Sequence, residues 1–137
     1  AYQAGVPLLT GSESGFSITP YGEWHHRELE IFVNELSLTP VQAIQCATAN
    51  GARSLRLEDK LGKLESGYLA DLLIVEGDPS QDIALLGKTE AVKHIFKGGQ
   101  EVDLDLPLPE SWNLPAWRVN EFSSRVLTRK IACSEGD

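Results

Sequence analysis

The chain has 137 residues, about one ordinary domain. Its 12 Lys and Arg stand against 20 Asp and Glu, for a formal charge of −8, which excludes the basic face of a general nucleic-acid binder and adhesion to anionic membrane surfaces. With 42% apolar and 23% charged residues the composition is that of a folded globular chain, and no apolar run approaches the length of a transmembrane helix.

Val6 to Thr10 is a short apolar run that predicts a buried strand, closed by Gly11. A loop follows, Gly11-Ser12-Glu13-Ser14-Gly15, in which two glycines bracket a carboxylate flanked by hydroxyls. Phe16 to Tyr21 continues as loop, with Pro20 and Gly22 as breakers.

Leu29, Phe32, Val33 and Leu36 then fall on one face of a helix, with Arg27, Glu28, Glu30 and Glu35 on the other side. Thr39-Pro40 predicts the N-cap and first residue of a second helix. That helix is expected to bury Val41, Ile44 and Ala47. A new short turn begins near Thr48, with Ala52, Leu55 and Leu57 facing inward.

After Asp59 the pattern turns to β structure. Leu72 to Val75 is a fully apolar strand stopped by Gly77-Asp78-Pro79. Ile83 to Leu86 is a short helical or loop segment. Val92 to Phe96 is a second strand, Gly98-Gly99 its turn, and Val102 and Leu104 the start of a return strand. From Pro107 a tail containing Trp112 and Trp117 fits a segment lying over a surface.

The chain thus divides into a strand, loop and helices (1–57), a small β unit (58–104) and the tail (105–137). The β unit has too few strands to close a core alone. Methionine is absent and the chain opens on Ala1 as if in mid-domain, so a piece of a longer protein is expected.

Glu13 is the foremost candidate for chemistry. A carboxylate at the C-terminal end of an apolar strand followed by helices stands where (β/α)8 barrels carry their reacting groups. It can bind a divalent metal or accept a proton; the competing reading is a solvated loop glutamate. His25 and His26 are adjacent and are not expected to point into one site from a helix; a partly exposed helix surface accounts for both. Asp71 suits a turn or cap, His94 an exposed strand position, and Cys46 a small core residue. Cys46 and Cys133 form neither a CxxC motif nor a disulfide framework, so a reducing, cytoplasmic compartment is the default, and a mature secreted chain would look the same.

Five segments in order over residues 4–99 resemble the amidohydrolase superfamily, in its imidazolonepropionase-like and prolidase-like branch. Ala4-Gly5-Val6 through Gly15 is similar to its last barrel strand, written A-G-V, apolar residues, then G-T-D-x-G. Arg27-Glu28-Leu29-Glu30 resembles its RELE helix. Thr39-Pro40-Val41-Gln42-Ala43-Ile44, with Ala47-Thr48-Ala49-Asn50, resembles the helix pair that follows. Leu61-Gly62-Lys63-Leu64-Glu65-Ser66-Gly67 through Val75, then Gly77-Asp78-Pro79 and Val92 to Gly99, complete the pattern.

The resemblance implies an α/β fold: the last strand and helices of a (β/α)8 TIM-type barrel, plus the C-terminal share of a small β-sandwich. Such a chain is incomplete alone, and the rest of the barrel would lie in the same or another chain. The implied activity is hydrolysis of an amide-like, cyclic-amide or dipeptide C–N bond in a small-molecule or peptide-like substrate by metal-activated water. The divalent metal of the intact enzyme, zinc by expectation, need not be bound by this chain alone. The family's metal-ligating, proton-accepting aspartate falls on Glu13, one methylene longer, and Ser12, Ser14, Gly15 and Tyr21 would line the mouth of the site. By itself the chain supplies at most one metal ligand and is expected to be inactive. The alternative is a non-catalytic remnant that folds as a homo-oligomer and serves as an interaction module.

Overall fold

The computed structural model describes residues 2–14 and 24–105. Gly15, Tyr21, the rest of the loop to Glu23 and the tail beyond Asp105 lie outside the described residues. Three helices come first: α1 (Trp24–Asn34), α2 (Pro40–Ala47) and α3 (Ala49–Ser54). An antiparallel sheet follows, made of β1 (Leu72–Val75), β2 (Val92–Lys97) and β3 (Gln100–Glu101) in the order β1-β2-β3.

Helix α2 starts where its first residues dictate. Thr39 is extended, and its hydroxyl accepts from the Gln42 N–H at 3.3 Å while the Gln42 side chain accepts from the Thr39 N–H at 2.8 Å. This reciprocal capping box and Pro40 at the first turn fix the start. Thr48 separates α2 from α3, and its own hydroxyl donates back to the Ile44 carbonyl at 2.8 Å.

The core is built by α1, α2 and the 3₁₀ turn Ile83–Gly87. Leu29, Phe32, Leu38, Ala43, Cys46 and Ile83 are buried together, with Tyr2, Leu8, Val33, Ile44 and Leu86 packed against them. Burial of a side chain such as Phe32 contributes about 2–3 kcal/mol. The inward face of α2 differs from the sequence expectation. Ala43 and Cys46 are the buried pair, whereas Val41 is 49% exposed and Ala47 is exposed. Small residues at the contact let α1 and α2 approach closely, and that outweighs the larger Val41. Leu55, expected inside, lies past the end of α3 and is exposed, and Leu36 likewise lies past the end of α1 and is exposed.

Strand β1 and strand β2 pair in register Leu72↔Phe96, Leu73↔Ile95 and Ile74↔His94, with an irregularity between Ile74 and Val75. The return strand is shorter and earlier than expected, with Leu104 outside it. Its continuation is one bond, from the Val102 N–H to the Ile95 carbonyl at 2.8 Å. Asp71 takes the turn role assigned to it. Its carboxylate accepts from the Gly98 N–H at 2.7 Å and pairs with Lys97.

The segment Val6–Thr10 corrects a prediction. It joins no ladder with the described residues, and Val6 and Leu9 are exposed. A strand exists only through a partner's backbone groups, and none of the described segments supplies one. Leu8 packs against the core, and its carbonyl accepts from Asn50 Nδ2 at 2.7 Å. That bond ties the segment to α3.

Candidate functional site

The 11–14 turn follows Thr10 directly, and α1 holds it in place. The Gly11 N–H donates to both carboxylate oxygens of Glu28, at 3.0 and 2.9 Å. The Ser12 hydroxyl hydrogen-bonds His25 Nδ1 at 3.1 Å and the Ser14 hydroxyl at 2.8 Å. Between these anchored neighbours stands Glu13, with φ at 49°. That is the left-handed region, which a non-glycine residue rarely adopts.

His25 and Glu28 reach the turn because they lie one helical turn apart on α1, three residues in sequence. They extend the buried stripe of Leu29 and Phe32 toward the N-terminus of the helix. The apolar periodicity began this stripe at Leu29 and assigned Glu28 to the opposite face. Carrying the same period back one turn to His25 is the signal that locates both residues.

A cavity of about 570 Å³ opens beside the turn. Its polar wall carries Gly11, Ser12, Glu28 and both His25 and His26, and Leu29, Leu73 and Leu86 form its apolar side. The two adjacent histidines therefore do border one cavity, against the sequence expectation. Successive helical residues point about 100° apart, and this cavity is wide enough to touch both rings. His26 also lies against Gly87, where a Cβ would come within 2.5 Å of the imidazole. The volume suits a small-molecule site.

Among the residues proposed from sequence, Ser12 borders the cavity, and Glu13 and Ser14 stand on the same turn but not in its described wall. Chemically, the turn offers a carboxylate able to accept a proton and hydroxyls able to orient a ligand. Among the described residues no three His, Cys, Asp or Glu side chains come together as metal ligands. A hydrolytic zinc centre takes three protein ligands and a water, so the described residues do not form such a centre among themselves. Among them, too, no helix is long and apolar enough to cross a membrane.

Comparison with known proteins places the chain in a family. Ochratoxinase from Aspergillus niger is 36% identical over 101 residues, which is 73% of this chain and 20% of that enzyme. Imidazolonepropionase from Desulfotalea psychrophila is 29% identical over 97 residues, 71% of this chain and 23% of that enzyme. The crystal structure of a Xaa-Pro dipeptidase with bound methionine in its active site matches with a TM-score of 0.66 at 37% identity, over 74% of this chain and 23% of that one. The chain thus spans under a quarter of the length of these relatives. The family model described as "Amidohydrolase family" matches residues 1–102, and the chain belongs to the amidohydrolase family.

Proposed function

We propose that this chain is the C-terminal share of a hydrolase that cleaves an amide-type C–N bond in a small-molecule or peptide-like substrate. In this reading residues 1–57 end a (β/α)8 barrel, 58–104 contribute to a composite β-sandwich, and 105–137 form an added tail. The observation that carries it is the 11–14 turn, fixed to α1 by Glu28 and His25 at the end of an apolar segment that has no ladder partner among the described residues. In a barrel, that is where a carboxylate meets substrate.

Glu13 would accept the proton of the attacking water, and Ser12 and Ser14 would orient the polar end of the substrate. Gly15 and Tyr21, which lie outside the described residues, would line the mouth of the site in this reading. The intact enzyme would use a divalent metal, zinc by expectation, to activate that water. Most of its ligands would come from outside the described residues, either in the same chain or in a partner chain.

The test uses the longer polypeptide that this reading requires, assayed on Xaa-Pro dipeptides and N-acyl amino acids. The expected result is hydrolysis that chelation abolishes and that Glu13→Gln lowers by about 100-fold or more, while the 137-residue chain alone is inactive. Full activity in Glu13→Gln would refute the role of Glu13, and turnover by the short chain alone would refute the need for the rest of the barrel.

A second reading has its own observation. Leu64, Leu73 and Ile74 are large, apolar and exposed, as in a module that covers them by assembling with copies of itself.

A further inference from the structure

Glu13 holds a backbone conformation that costs an L-residue on the order of 1–2 kcal/mol. Such a conformation persists only where its surroundings over-determine it. Here the residues on both sides are tied. The Gly11 N–H is bound to both oxygens of Glu28, and Ser12 is bound to His25 and to Ser14. Both tethers start on α1, whose next residues Leu29 and Phe32 are fixed in the core. The helix therefore helps to set the position of the turn, together with the Ser12–Ser14 bond within it.

We infer that Glu28, supported by His25, is the positioning residue for Glu13. Its carboxylate grips the amide two residues ahead and keeps Glu13 in its left-handed conformation, which sets the direction of the Glu13 carboxylate. This rests on the reading of Glu13 as proton acceptor. Glu28 borders the cavity, but both of its carboxylate oxygens are taken up by the Gly11 N–H, so it would act on Glu13 through the turn. Both of its oxygens accept the same proton donor, so one acceptor oxygen suffices for part of the effect.

The test has two arms. In the 137-residue chain, NMR follows the Gly11 amide shift, which reports the hydrogen bond, and the Glu13 Cα and Cβ shifts, which report the sign of φ. Glu28→Ala is expected to move all three and to leave the Leu29 and Phe32 methylene and ring signals in place. Glu28→Gln, which keeps one acceptor oxygen, is expected to retain most of the native pattern and serves if Glu28→Ala fails to fold. Unmoved Glu13 shifts in Glu28→Ala would overturn the inference.

In the longer polypeptide, Glu28→Ala is expected to lower kcat by about 10- to 100-fold, with any rise in KM smaller than the fall in kcat, as for a misplaced reacting group. Glu28→Gln should recover much of that loss. An unchanged kcat in Glu28→Ala, in an enzyme that Glu13→Gln inactivates, would overturn the positioning role. If Glu13→Gln leaves kcat unchanged, the Glu13 reading fails instead, and the NMR arm still decides whether Glu28 holds the turn.

Discussion

Gly62 shows how a single residue carries the junction between the helical part and the β unit. Its φ is 85°, and an added Cβ would meet the Thr48 carbonyl at 2.8 Å and Ala49 Cα at 3.0 Å. Those neighbours are backbone at the α2–α3 break and cannot swing aside. Gly62→Ala is expected to destabilise the chain by about 2–4 kcal/mol, from left-handed strain plus overpacking. Gly67 has a φ of 92° but open space around it. Gly67→Ala therefore isolates the strain, at about 1–2 kcal/mol, and equal losses in thermal unfolding of the two variants would contradict the account. Cys46 is a contrasting case. Burial pushes its thiol up, against a smaller opposing effect of the Asn50 contact. It is expected to react with a thiol reagent only as fast as the fold opens, and rapid labelling of native Cys46 would show a looser α1–α2 contact than described. Its core position was legible in the sequence as a small apolar residue on a helix. The role of Glu28 was not, because a charged residue beside an apolar stripe is usually solvated, and only the third dimension brings Gly11 to it.

Among the elements, the sheet carries the carboxylates that are held low, Asp71 and Glu76. The Lys97 ammonium, then the Gly98 amide, hold the Asp71 carboxyl below its ordinary value of 3.8. Lys93 does the same for Glu76, whose carboxylate it meets at 2.6 Å. A carboxyl lowered in the folded state adds stability that is complete above its unfolded value and is lost as pH falls through its folded value. Amide exchange at Gly98 is therefore expected to accelerate as pH drops below that ordinary range, after correction for intrinsic exchange. Asp71→Asn should flatten this dependence while leaving α1 and α2 unaffected. An unchanged acid profile in Asp71→Asn would remove Asp71 from the account. The sheet was readable because Leu72 to Val75 is wholly apolar and Gly98-Gly99 can only turn between β2 and β3. Likewise Thr39-Pro40 announced α2. The inward face of α2 was partly readable: Cys46 is buried and Ile44 packs against the core as expected, whereas Val41 and Ala47 are exposed and Ala43 is buried in their place.

At the scale of the molecule, the chain leaves much apolar surface uncovered. Val6 and Leu9 stand on a segment with no ladder among the described residues, and Leu73 and Ile74 lie on opposite sides of the short strand β1. Both positions fit a fold of which this chain is one share. Purified alone, the chain is expected to associate, with a sedimentation coefficient that rises with concentration; a strict monomer throughout would mean that these surfaces need no cover. The family could be read from five short segments in order, none decisive singly. A closed barrel could not, because the strands among the described residues form one three-stranded antiparallel sheet.

The most direct measurement is the coding sequence immediately upstream of Ala1. If the chain is the C-terminal share of an amidohydrolase, the frame stays open for roughly 250 codons or more, enough to supply the missing barrel strands, and encodes an apolar strand ending in His-x-His. A start codon directly before Ala1 would contradict a single-chain enzyme, and the chain's function would then lie in what it assembles with.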